Sequence, residues 1–182
     1  MRHYNYHKRL QEIWTKAVDL YSQGFRDPDF FFNEIEIRFL KSIGSRSKEL
    51  VDYAEEFERW REPDFTAIAL IQDIRRAYYF DVQSGLGEHQ RLESKTCLYP
   101  SPESNLSPEL TRVSLKAKHK LTGTLGSNTM YPSYCDRDFL RRNDLHPAEF
   151  LRKVWETNCD FEQLATWVAG RERASSESKN VP

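Results

Sequence analysis

Met130-Tyr-Pro-Ser-Tyr-Cys-Asp-Arg-Asp-Phe-Leu140, followed shortly by His146-Pro-Ala-Glu-Phe-Leu-Arg-Lys-Val-Trp155, is the run whose punctuation decides the fold class. It reads as two short helices, each with its own start signal. Asp136 opens the first, its carboxylate accepting from the first helical turn. His146-Pro147 begins the second with proline at the first helical position, where a missing N–H costs nothing. Asp160 then caps a third helix, with Gln163 as the reciprocal partner of a capping box.

Outward from this run the same language repeats. Ser107-Pro108 opens a helix that Gly123 closes. Leu10, Ile13, Trp14, Ala17, Val18 and Tyr21 recur at helical spacing and predict a helix from about Tyr6 to Gln23, stopped by Gly24. A second helix is expected from about Asn33 to Ile43, ending at Gly44, and a third from about Ser47 to Trp60. The third carries an acidic side, Glu49, Asp52, Glu55, Glu56 and Glu58, which reads as a solvated face. After Glu62-Pro63-Asp64, a fourth helix from about Phe65 to Ser84 is apolar around much of its circumference, the mark of a helix packed by several neighbours. No strand alternation and no repeat is found. The expectation is an all-α protein of two packed helical units with about seven or eight helices and no substantial sheet. Residues 1–85 form the N-terminal four-helix unit, 86–106 a linker rich in Ser, Glu, Pro and Gly, 107–170 the C-terminal unit, and 171–182 a polar, Ser-rich disordered tail.

The chain of 182 residues can bury a substantial core. Its 27 basic and 28 acidic residues leave a net charge of −1, which argues against a general nucleic-acid binder. No apolar run approaches the length of about 20 residues that a membrane span needs, and residues 1–9 are aromatic, histidine-rich and basic rather than a signal-peptide core. A cytoplasmic location is expected. The cysteines, Cys97, Cys135 and Cys159, lack the close pairing of a structural zinc site and read as reduced thiols. Cys135 beside Asp136 is the one candidate nucleophile among them, without a neighbouring histidine to activate it. His3 and His7 share a helical face but have no third ligand, and read as solvent-exposed. No metal or cofactor motif is found.

The segment from about Ser107 to Val168 resembles a bacterial family catalogued as domain of unknown function 5069. Leu110, Arg112, Lys116-Ala117-Lys118, Leu121, Gly123, Tyr131, Asp136, Phe139, the run Pro147–Leu151 and Trp167-Val168 carry the likeness. Phe39–Gly44, Glu49–Tyr53 and Asp73–Phe80 resemble the leader region of longer members. Leu115 stands where shorter members often have an acid. The resemblance implies a helical C-terminal unit and no established activity.

Two groups of residues invite chemistry. Arg75 falls among Ile68, Ile71, Tyr78 and Val82 on the helical wheel, where a guanidinium must be paired or reach a cavity. A buried Arg–carboxylate bridge, with Tyr78 or Tyr79 stacked on the guanidinium, is one reading, and an anion clamp is the other. Arg76 points elsewhere, to the surface or to the other unit. Arg112, Lys116 and Lys120 recur one helical turn apart with His119 alongside, a face that reads either as solvated or as an anion site beneath the loop carrying Tyr131 and Asp136. The resemblance falls on Arg112, Lys116, Tyr131 and Asp136 together, and these are the candidate ligand residues, with Arg75 and Lys120 secondary. The functional expectation is a binding or interaction module whose partner is a small anion or a protein. The alternative is a small enzyme or a sensor of an anionic metabolite, using Asp136, Tyr131 or His119 as acid or base. A weaker third reading places RNA on the Arg112–Lys120 face.

Overall fold

Helix boundaries follow the capping chemistry. The computed structural model describes residues 3–86 and 107–178, with side chains through Arg171; among these residues there are eight α-helices and no strand. The linker expected at 86–106, with Cys97 in it, lies outside the described residues but for Leu86. The chain divides into two compact units, Met1–His89 and Gln90–Pro182.

In the first unit, α1 (Tyr6–Ser22) stops just before Gly24, whose φ is 96°. A 3-10 turn, Pro28–Phe30, is held by Asp29 N donating to Asp27 Oδ1 over 3.1 Å. Helix α2 (Glu34–Ser42) begins with a capping box: Glu36 N donates to Asn33 Oδ1 (3.0 Å), and Asn33 N donates back to Glu36 Oε2 (2.8 Å). Helix α3 spans Ser47–Trp60, and α4, capped by Asp64, spans Phe65–Asp81. The last turn expected of α4 is absent. Val82 is exposed rather than part of the stripe, and Tyr79 Oη donates to Gly85 O (2.6 Å) within the turn that ends the helix.

Helix α1 packs principally on α3 and also on α4. Leu10, Ile13 and Ala17 meet a core that includes Leu50, Tyr53, Ala54, Ile68 and Ile71, all buried. Each such large apolar side chain contributes roughly 1.5–3 kcal/mol by leaving water. The glycine between α2 and α3 is fixed twice over: Gly44 has φ 72°, and a Cβ there would lie 2.8 Å from Tyr79 Cβ.

Several polar residues of this unit depart from expectation. Glu49 is buried and accepts from Arg46 Nε (3.2 Å), so the acidic side of α3 is not uniformly solvated. His7 is solvent-exposed as expected, and its Nε2 also lies 2.8 Å from Asp73 Oδ1 on α4. His3 packs edge-on against Phe80, with ring centroids 5.7 Å apart. Arg76, expected at the surface or at the other unit, stacks within its own unit, its guanidinium 4.9 Å from both the Tyr6 and Phe80 rings.

In the second unit, α5 (Pro108–Thr122) ends on Gly123 at φ 77° and packs on α7 (Pro147–Glu156), with α6 (Tyr134–Arg142) and α8 (Phe161–Ser178) also against α5. Val113, Ala117, Leu140, Phe150, Leu151 and Leu164 form the core. Asp160 caps α8 as expected, accepting from Glu162 N and Gln163 N (both 3.0 Å). The Gln163 side chain returns to the carboxylate, 2.9 Å from Asp160 Oδ2, instead of to the capping backbone. The backbone hydrogen bond from Gln163, then its side chain, hold the Asp160 carboxyl below its ordinary pKa. Helix α8 continues to Ser178, so the tail expected from Arg171 is helical over most of its length. Arg171-Glu-Arg-Ala174 are good helix formers that lack an apolar stripe, and Arg171 Nη2 donates to Glu149 Oε1 of α7.

Candidate functional site

The C-terminal candidates are positioned by two helix starts. Pro108 sets the phase of α5, which places Arg112 and Lys116 one turn apart on one side. Ser133 is the N-cap of α6, and Asp136 is its third residue; the opening role expected of Asp136 belongs to Ser133. The spacing sends the Asp136 carboxylate back over the helix start, where Ser133 N donates to Oδ2 (2.9 Å).

Around this carboxylate the unit assembles a closed polar cluster. Arg112 Nε donates to Oδ1 at 3.2 Å and Lys116 Nζ to Oδ2 at 2.8 Å. Ser133 Oγ donates to Oδ2 at 2.8 Å and receives Lys116 Nζ at 2.9 Å. The Asp136 side chain has 0 % exposure, against 20 % for Lys116 and 41 % for Arg112. A buried carboxylate needs such company, because losing its hydration costs several kcal/mol unless charge and hydrogen bonds replace it. The first turn of α6 adds its dipole in the favourable sense.

Comparisons with protein-family models, with curated proteins and with solved structures find no match.

Three of the four ligand residues expected from the sequence therefore meet, and they meet one another. Tyr131 is buried beside them in sequence, but its hydroxyl donates to Pro147 O (2.7 Å), tying the approach to α6 to the start of α7. Lys120 is 1 % exposed, so the α5 face is not the solvated basic stripe that the spacing suggests. His119 turns to the end of its own helix, Nδ1 lying 2.8 Å from Thr124 Oγ1, and burial followed by the Lys118 charge lowers its pKa. Ser133 and the buried Arg137, whose Nη1 donates to Pro132 O (3.1 Å), were not among the expected residues. The Ser133-x-x-Asp136 spacing was the available signal for the first.

The Cys135 thiol is exposed, whereas Cys159 is buried with its Sγ 3.8 Å from Ser114 O. Among the described residues no group of three or more His, Cys, Asp or Glu side chains is placed to hold a metal ion.

Arg75 is 4 % exposed, and its Nη1 donates to Gln83 Oε1 (2.7 Å) from the turn after α4. Its guanidinium lies 5.4 Å from the Tyr79 ring, which realises the stacking expected of one of the two tyrosines. Burial lowers the Arg75 pKa, and the Glu49 charge is the first of the influences opposing it. The guanidinium is thus part of a buried polar set that draws on α3, α4 and the turn beyond α4.

Proposed function

We propose that this is an all-helical binding or interaction protein of the cytoplasm, in which Arg112, Lys116 and Asp136 serve as a clasp between α5 and α6 rather than as a reaction centre. One observation carries the reading: the Asp136 carboxylate, without exposed surface, already receives Arg112, Lys116 and both donors of Ser133. An acid–base residue needs an oxygen within reach of the proton it moves, and these oxygens are occupied by structural partners. No described helix is long and apolar enough to cross a membrane. On this proposal the resemblance to the uncharacterised bacterial family reflects a shared way of packing α5 on α6.

A second reading, an enzyme or sensor of an anionic metabolite, draws on the 41 % exposure of Arg112, whose Nη2 makes only a 3.4 Å bond to Cys135 O. A thermal-shift screen of wild type and Lys116→Ala against phosphorylated and carboxylated metabolites separates the two. The clasp predicts a midpoint about 6–12 °C lower in the ligand-free variant, from roughly 3 kcal/mol of lost stability, and no selective loss of any ligand's effect. A variant of unchanged midpoint that loses a wild-type ligand shift would establish the second reading instead. A ligand at about 100 times its dissociation constant adds roughly 2.7 kcal/mol, enough to be seen.

A further inference from the structure

The N-terminal half of α1 and one face of α2 border a cleft of about 580 Å³ in the first unit. Small-molecule sites commonly occupy roughly 300–1,000 Å³. The wall from α1 includes Lys8, Arg9 and Glu12, and that from α2 includes Ile35, Arg38 and Phe39. Both sets follow the three- and four-residue spacing that gathers side chains on one helical face. Lys16 Nζ donates to Glu36 Oε2 over 2.8 Å and links the same two helices beside the cleft.

Charge distinguishes this cleft from ordinary solvated surface. Three cations, Lys8, Arg9 and Arg38, face one carboxylate, Glu12, and leave two positive charges uncompensated. Neither Lys8 nor Arg38 has a hydrogen-bond or ion-pair partner among the described residues. Among the described residues no carboxylate pairs with Arg9, whose guanidinium lies 5.0 Å from the Phe39 ring. Lys48 and Arg59 of the same unit, by contrast, are paired with Asp52 and Glu55. At the mouth, Ile35 keeps 59 % of its surface exposed and offers apolar contact beside the charges.

We propose that this cleft binds a small phosphate monoester carried on a hydroxyl-bearing ring, the chemistry that hexose phosphates and nucleoside monophosphates share. The dianion matches the uncompensated charge. Arg38 presents a planar fork suited to two phosphate oxygens, and Lys8 supplies a compact point charge. Glu12 accepts hydrogen bonds from ring hydroxyls, while Ile35 and Phe39 cover the apolar face of the ring. This site lies in a different unit from Asp136 and does not rest on the reading given above; neither test decides the other.

Isothermal titration of the full chain with inorganic phosphate, a hexose phosphate and adenosine monophosphate tests the assignment. Wild type is expected to bind at least one organic phosphate about tenfold or more tighter than inorganic phosphate. Preference for the hexose phosphate identifies the hydroxyl-rich body as the recognised part, and preference for the nucleotide identifies the base. Lys8→Ala combined with Arg38→Ala should weaken that binding about tenfold or more, and Glu12→Gln, which removes a negative charge and a hydroxyl acceptor together, should narrow the preference for the organic phosphate over inorganic phosphate. Both cations are exposed, so the double variant should keep the wild-type melting midpoint; Lys8→Gln alone, with a smaller loss, guards against a folding defect. Absence of binding by all three probes, equal affinity for all three, or undiminished binding by the double variant each overturns the proposal.

Discussion

Lys116 Nζ lies 2.8 Å from Asp136 Oδ2, a contact between α5 and the first turn of α6 made by a carboxylate with no exposed surface. Deleting one partner of such a pair costs more than deleting both, because the survivor remains desolvated without its counter-charge. Lys116→Met is expected to lose about 3 kcal/mol, and the double variant Lys116→Met/Asp136→Leu to recover a large part of it. Urea midpoints of the single and double variants give the coupling. If the two losses simply add, the pair is not the clasp described.

Gly44 and Gly24 form a natural pair of controls. Both have positive φ, 72° and 96°, but only at Gly44 would a Cβ strike another residue, Tyr79. Gly24→Ala should cost about 1 kcal/mol, the backbone contribution alone. Gly44→Ala adds a steric collision and should cost about 2–4 kcal/mol in denaturant unfolding. Equal losses would mean that Tyr79 yields without cost.

The pH dependence of stability carries a signature of His119. Burial first, then the Lys118 charge, holds its pKa below the ordinary 6.5. Between the folded value and 6.5 the unfolded chain therefore binds more protons, and stability rises with pH. The contribution is full above 6.5 and fades as pH falls through that window. Denaturation midpoints of wild type and His119→Gln at about pH 7.5 and 5.5 should show the wild type losing more on acidification. Parallel losses would assign the acid sensitivity to other groups.

At Arg75 lysine is not a conservative replacement. The guanidinium serves Gln83 and the Tyr79 ring at once, with the Glu49 charge acting on it. A lysine supplies the charge without the planar fork. Arg75→Lys is expected to cost about 1–3 kcal/mol and Arg75→Ala about 3–5 kcal/mol, read by chemical denaturation. A fully stable alanine variant would show that the buried polar set contributes nothing net.

Helix identity was legible because it is written locally. Ser47–Trp60 was expected with its observed ends, and the caps at Ser107 and Asp160 stand where residue type placed them. Contacts between distant residues were not so written. The periodicity of α5 puts Lys116 on a face, but the carboxylate that accepts it lies 20 residues on, beyond a loop whose course no helical pattern fixes. Glu49 looks like its acidic neighbours on α3, and only the packing around it reveals its burial. Lys8, Arg9 and Arg38 belong to two helices that meet by tertiary packing, so no stretch of sequence displays their shared cleft. The end of α4 was misplaced for a different reason: Val82 fits the stripe by spacing yet follows the point where the chain turns.

The stack of Arg76 between Tyr6 and Phe80, with His7 joined to Asp73, makes the opening residues part of the scaffold. An engineer trimming this chain to its evident hydrophobic helices would discard them as a leader. The price would be a desolvated guanidinium on α4 with one aromatic neighbour gone and an aspartate without its imidazole. Truncations that reach into the first turn of α1 are therefore expected to destabilise the first unit.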